Sequence, residues 1–246
     1  NYYRDVAIYF SFNTDEKLFY ENRFMIGCKL GVQECFPYGA IGLEQILQCK
    51  PEKKELSRFE KTVLWTPRWS TDPYIGGSNF FNYCEVIINL ARKNPHILFV
   101  LRPHPLMFGN FIKTHEMTEQ DVKKFKDYCK NENNIVLDET KEYFNQFWDS
   151  DLLITDVSGM IPEYFVTGKP ILYCHSSADF QYNDYTLDMI ETCYQVKTKE
   201  ALLHQFDKVI AGNDEKYSDR QALISKSYRD VQSNSSNILS VLQKKN

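Results

Sequence analysis

Residues 151–174 read DLLITDVSGMIPEYFVTGKPILYC, and this stretch decides the fold. A short apolar run, Leu152-Leu153-Ile154, ends at Thr155-Asp156 and gives way to a polar turn, Val157-Ser158-Gly159. A helical pattern follows from Met160 to about residue 167. Gly168-Lys169-Pro170 stops it, because glycine accepts the backbone that ends a helix and proline cannot continue one. A second apolar run, residues 171–174, comes next. The whole is one strand–turn–helix–turn–strand unit with small residues at the helix start. A helix start carries unpaired N–H groups and a partial positive charge, which suit a phosphate. A turn of this kind at the carboxyl end of a parallel strand is where open α/β sheets hold ligands.

The same rhythm extends outward on both sides. Strands are expected at residues 62–65, 97–101 and 135–137, with helices at residues 80–94, 119–131 and near 143–148, and residues 103–115 read as a loop. Strands alternating with helices of ten or more residues imply right-handed crossovers and a parallel sheet with helices on both faces. Residues 60–246 are therefore expected to form a Rossmann-like α/β domain, ending in amphipathic helices at residues 199–210 and 214–242. Residues 1–50 contain a strand at 6–12, a helical or irregular stretch at 14–26, an extended piece at 31–36 and a helix at 43–48. They read as the end of another domain or an interdomain segment, and the charged, Pro-led stretch 51–55 reads as a linker.

Composition removes several function classes. Hydrophobic residues are 43% and charged residues 25% of 246 residues, as in a globular protein with one good core or two small ones. A net charge of −4 argues against a nucleic-acid partner. The longest apolar windows, at residues 97–101 and 171–174, are too short to span a bilayer. The 16 Tyr and 17 Phe could fill a core or line a sugar or base pocket. The seven cysteines are odd in number and form no C-x-x-C pair, which favours reduced thiols in a cytoplasmic protein. His96, His115, His175 and His204 lack metal-ligand spacing, so no metal is expected. With no G-x-G-x-x-G and no P-loop lysine, dinucleotide redox and ATPase chemistry are disfavoured, and no cofactor is expected. The chain starts at Asn1 without a signal peptide and reads as a piece of a longer protein.

Loops that follow strands converge on one sheet edge, so their residues are the ones to weigh. After the first strand of the sheet comes Thr66-Pro67-Arg68-Trp69. After the next comes Arg102-Pro103-His104-Pro105-Leu106, where two prolines fix the backbone on either side of His104. Arg102 and Arg68 supply forked cations for phosphate oxygens, and His104 can donate to a phosphate or act as an acid. Thr155, Asp156, Ser158 and Gly159 form the third loop, and Glu163, one turn into its helix, could take ribose hydroxyls. Each has a plainer reading: a surface histidine, a surface ion pair, a solvated helix glutamate. His175, just past a strand end, is more simply a border residue. Jointly, these groups make a basic, hydroxyl-rich crevice.

In that order the loops resemble the CDP-glycerol glycerophosphotransferase family of teichoic-acid and capsule polymerases, which have the GT-B fold. Thr66-Pro67-Arg68-Trp69 resembles the family's Pro-Thr-Trp-Arg-type loop with its order changed. Arg102-Pro103-His104-Pro105 is similar to its R-x-H-P motif. Ile154-Thr155-Asp156-Val157-Ser158-Gly159, continuing to Gly168-Lys169-Pro170-Ile171, is similar to its I-T-D-Y-S-S…G-K-P-I signature. The resemblance covers residues 60–175 well and reaches weakly into 27–47. It implies displacement at the β-phosphate of a CDP-activated polyol, passing a polyol phosphate to a cell-surface polymer or its lipid-linked precursor, with CMP leaving. It also implies that His104 stabilises or protonates the leaving group, that Ser158 and neighbouring N–H groups hold its oxygens, and that Arg102 or Arg68 neutralises charge. Lipid-linked acceptors imply peripheral association with the inner face of the cell membrane; Tyr2-Tyr3 and Lys244-Lys245 add little to that.

The chain departs from the family in three places. One hydroxyl is missing where Gly159 replaces a serine. The acidic and Pro-Gly-Pro segment after Gly-Lys-Pro is absent, its place taken by residues 178–191. The acceptor domain's Trp-His-Gly motif, whose histidine would be the base, does not occur. The chain alone is therefore expected to bind nucleotide better than it turns over. Two other readings use the same residues: a UDP-sugar GT-B enzyme, including the UDP-GlcNAc 2-epimerases, and a non-catalytic nucleotide-binding or scaffolding domain.

Overall fold

The computed structural model describes residues 5–51, 58–75, 77–176, 182, 184–228 and 231–244. Most of the linker stretch 51–55, most of 178–183, Tyr2-Tyr3 and Lys245 lie outside these. The chain divides into two compact units, residues 1–49 with 223–246 and residues 50–222. The C-terminal boundary thus differs from the expected one: the last helix packs on the N-terminal segment instead of closing the large domain.

The first unit carries β1 (Ile8–Phe10), α1 (Thr14–Arg23), α2 (Met25–Lys29), β2 (Glu34–Phe36) and α3 (Ile41–Gln48). β1 and β2 pair in parallel. Asn13 starts α1 by accepting the Glu16 N–H at 2.8 Å. The stretch 14–26, expected to be helical or irregular, is helical but broken at Phe24, which lies outside helical geometry.

The second unit contains β3 (Lys61–Thr66), α4 (Phe80–Lys93), β4 (Ile97–Leu101), α5 (Met107–Lys113), α6 (Glu119–Asn131), β5 (Ile135–Leu137), α7 (Phe144–Asp149), β6 (Leu152–Thr155), α8 (Met160–Phe165), β7 (Ile171–Cys174), α9 (Asp184–Glu191), β8 (Tyr194–Val196) and α10 (Lys199–Ile210). Next come α11 (Tyr217–Ser227), which crosses the unit boundary, and α12 (Asn234–Gln243), which belongs to the first unit. There Glu44 of α3 accepts the Ser235 N–H at 2.8 Å and its hydroxyl at 2.6 Å.

The six strands form one parallel sheet in the order β5-β4-β3-β6-β7-β8. The central strands are buried on both faces, which is why they read as unbroken apolar runs rather than alternating ones. Val63, Leu64, Leu152, Leu153 and Ile154 are fully buried, each contributing roughly 1.5–3 kcal/mol of apolar burial. The chain winds outward from β3 through β4 to β5, then returns to β6 on the other side. That reversal puts the topological switch point between β3 and β6, where Thr66 is in register with Thr155. α6 begins in a Thr118/Asp121 capping box, and Thr198 caps α10.

The segment expected to be a loop over 103–115 contains α5, whose Met107 and Phe111 are fully buried. Burial of that apolar face outweighs Gly109 and the two prolines just ahead of the helix.

Candidate functional site

At the carboxyl edge of the sheet, the loops after β3, β4, β5 and β6 enclose a cleft of about 580 Å³. Thr66, Arg68, Arg102, His104, Ser158 and Gly159 all line it, so three separate stretches of sequence meet there as the strand order requires.

The floor is the switch point itself. The Thr66 hydroxyl donates to Thr155 Oγ1 at 2.8 Å, and the Thr155 hydroxyl is within 3.1 Å of the Thr66 carbonyl. Both residues are buried, so these hydroxyls stitch β3 to β6. Just above them Asp156, 2% exposed, joins two loops. Its Oδ1 accepts the Arg68 N–H at 2.9 Å and its Oδ2 accepts the Asn79 N–H at 3.0 Å. Burial pushes its carboxyl up to about 7, against the pull of those two N–H groups and of the Arg68 charge. Arg68 is steered by a bond from its Nη1 to the Val157 carbonyl at 2.8 Å.

His104 lines the same cleft, its ring 6.3 Å from that of Trp69. The Leu106 N–H donates to its Nδ1 at 3.2 Å. In the neutral ring the proton therefore sits on Nε2, which is left as a donor. Burial first, and then the Arg68 charge, lowers the pKa of His104 below its ordinary value. The ring is neutral at pH 7 and ready to donate one hydrogen bond.

Arg102 behaves differently from the expected phosphate clamp. It is buried and paired with Asp138, and its Nη2 donates to the Thr140 carbonyl at 2.6 Å. Its guanidinium lies over the Tyr143 ring, 4.9 Å from the centroid. Asp138 also accepts the Thr140 N–H at 3.0 Å and the Thr140 hydroxyl at 2.7 Å. Although burial works the other way, bonds from Thr140 and Gln146 and the Arg102 charge hold the Asp138 carboxyl below the usual range. Arg102 thus organises the loop after β5, which supplies Thr140, Lys141 and Tyr143 to the cleft wall.

Glu163 sits one turn into α8 and accepts the Tyr143 hydroxyl at 2.9 Å; burial raises its pKa while that bond lowers it. It is not on the cleft wall; its contact with the cleft runs through Tyr143. The Ser158 hydroxyl accepts the Met160 N–H at 3.1 Å. α8 has only six residues, so its macrodipole is weak and the local turn matters more than the helix. A Cβ at Gly159 would meet nothing within 4 Å, so glycine is not sterically required there. The Gly168-Lys169-Pro170 stretch is structural. Gly168 has φ +71°, and the Lys169 ammonium donates to the carbonyls of Phe147, Trp148 and Ser150 at the end of α7. His175 lies outside this cleft, beside β7 and β8.

Sequence reading missed Thr140, Lys141 and Tyr143. The signal was present, because the rule that selected loops after the other strands applies equally to residues 138–143 after β5. Among the described residues no group of three or more His, Cys, Asp or Glu is placed to hold a metal ion, and no helix is long and apolar enough to cross a membrane. All seven cysteines are free thiols.

A doubly wound parallel sheet with a basic, hydroxyl-lined cleft at its switch point makes this a Rossmann-like α/β domain, and its fold is that of the GT-B enzymes it is similar to. The chain belongs to the CDP-Glycerol:Poly(glycerophosphate) glycerophosphotransferase family, whose family model it matches over residues 47–242. Among solved structures it is similar to the wall teichoic acid polymerase TagF, at 15% identity and TM-score 0.58 in a form soaked with CDPG, covering 98% of this chain and 57% of that one. A UDP-N-acetylglucosamine 2-epimerase matches at 14% identity and TM-score 0.56, covering 96% and 57%. MnaA of S. aureus with UDP matches at 12% and 0.55, covering 87% and 55%. At these identities the likeness is one of fold. The chain spans about half the length of the solved structures it matches. A search of curated proteins found no match.

Proposed function

We propose that this chain binds a CDP-activated polyol, glycerol phosphate being the transferable group, and serves a transferase that passes the polyol phosphate to a polymer hydroxyl. The observation that carries the reading is His104. A neutral imidazole with Nδ1 engaged and Nε2–H available faces a cleft shared with Arg68 and the 158–159 turn.

In this reading the donor's diphosphate lies between His104, Arg68 and the turn at Ser158-Gly159. The acceptor hydroxyl oxygen bonds to the β-phosphorus and gives up its proton to solvent or to a base on the acceptor side, as the bond from that phosphorus to the bridging oxygen breaks and CMP departs. His104 hydrogen-bonds the leaving phosphate through its Nε2–H, and Arg68 offsets the charge that develops there. Thr66, Thr155 and Asp156 fix the floor and the Arg68 loop, and so act by positioning. Arg102 and Glu163 act on the donor through Tyr143 and the 138–143 loop, which the nucleoside would face. Residues 1–50 are read as part of the acceptor-side half. The acceptor is read as a capsule or teichoic-acid polymer or its lipid-linked precursor, which would bring the protein to the inner, cytoplasmic face of the membrane.

Thermal shift with CDP-glycerol, CDP-ribitol, CMP, UDP and UDP-GlcNAc tests the reading. A ligand at about 100 times its Kd adds about 2.7 kcal/mol to the folded state. CDP compounds should stabilise the chain, and His104→Ala and Ser158→Ala should weaken the effect. Stabilisation by UDP-GlcNAc in preference to CDP-glycerol would instead make the chain epimerase-like.

A further inference from the structure

A second cavity lies on the same sheet edge, beyond β7 and β8. It holds about 550 Å³ and is bounded by the starts of α4 and α10. Its lining includes Lys197, Lys199, His175, Asn82 and Tyr83, and among the described residues no aspartate or glutamate. Among the described residues neither lysine ammonium is engaged in an ion pair within 4 Å.

Tyr83 is the telling residue. Its side chain is 4% exposed and reaches the cavity from the second turn of α4, yet its hydroxyl has no hydrogen-bond partner among the described residues. A hydroxyl that is unpaired within the protein and open to the cavity is free to bond a ligand or water there. Burial, and after it the charges of Cys174 and Glu200, push that hydroxyl up to about 12, so it is a donor at neutral pH. His175 is held in place by Gln195, whose Oε1 lies 2.5 Å from its Nε2.

We propose that this cavity is an oxyanion site that takes a phosphate group, separate from the donor cleft. Lys197 and Lys199 supply charge and Tyr83 a fixed donor, a set suited to phosphate oxygens. Two sources carry that chemistry: free phosphate, and a phosphodiester of a polyol-phosphate chain. The second would make the cavity a subsite for the acceptor polymer, and that identification rests on the proposed function; the site itself does not.

The test is calorimetric titration of inorganic phosphate into the full chain with CDP present at saturation. One phosphate should still bind per chain. Lys197→Ala with Lys199→Ala should weaken it about tenfold or more while leaving CDP affinity unchanged. Tyr83→Phe should weaken it about threefold without lowering the thermal midpoint, since no protein bond is lost. Phosphate binding that disappears once CDP is present, or that survives the double lysine change intact, overturns the proposal. Should CDP fail to bind, Arg68→Ala blocks the donor cleft in its place, so failure of the nucleotide reading leaves the phosphate result legible. Glycerophosphoglycerol binding more tightly than inorganic phosphate identifies the polymer as the source; phosphate binding without the diester identifies the free ion.

Discussion

Asp156 allows a prediction whose size follows from its surroundings. The carboxyl is buried, held by two backbone N–H groups from different loops, and has a pKa of about 7. In the unfolded chain it ionises near its ordinary value of 3.8. A raised folded pKa means the folded state holds its proton longer. The stabilisation is present in full below about pH 4 and is lost as pH rises through about 7. The gap is about three units at 1.36 kcal/mol each, so roughly 4 kcal/mol should disappear across that window. The perturbation is Asp156→Asn, which keeps the shape and removes the titration. Urea unfolding of both proteins at a series of pH values from 4 to 8 gives the comparison, because other groups cancel in the difference. The unfolding free energy of the unaltered protein minus that of the variant should fall by roughly 4 kcal/mol as pH rises. A difference that stays flat, or climbs, would refute the assignment of burial as the dominant influence on Asp156.

Three further outcomes follow from the same geometry. Arg102→Ala leaves Asp138 buried without its cation and should cost about 3–5 kcal/mol in chemical denaturation; Lys at this position should recover little, since it cannot fork between Asp138 and the Thr140 carbonyl. Lys169→Met removes the donor to three carbonyls at the end of α7 and should lower stability by about 1–3 kcal/mol while leaving the affinity for CDP unchanged, as calorimetry would show. Gly159→Ser should fold normally, because a Cβ there meets nothing, and its added hydroxyl should tighten CDP binding by roughly 0.5–1.5 kcal/mol in titration.

The strands that build the sheet were readable because buried parallel strands must be continuously apolar: residues 97–101 and 152–155 announce themselves. β8, three residues with Gln195 at its centre, carries no such mark and forms because β7 offers it a register. α5 was hidden behind Pro103, Pro105 and Gly109, and its burial against the core is a tertiary effect. In the cleft, the approach of residues 66–69, 102–105 and 155–159 followed from strand ends alone. The partner of Arg102 did not. Asp138 follows a different strand, 36 residues on, and only the β4–β5 pairing brings the two together. The sequence pattern puts Glu163 on α8, but its bond to Tyr143 depends on a loop that local pattern does not orient.

The Lys169 tether bears on how such sequences are sorted. A signature running from I-T-D to G-K-P-I combines residues that hold the sheet together with residues that face the cleft. Its Gly168-Lys169-Pro170 positions would be retained by selection for folding even where His104 had been lost. A relative could therefore keep the family's most recognisable string while having no transfer chemistry. On the proposed function, the histidine between two prolines is the better marker of an active catalyst.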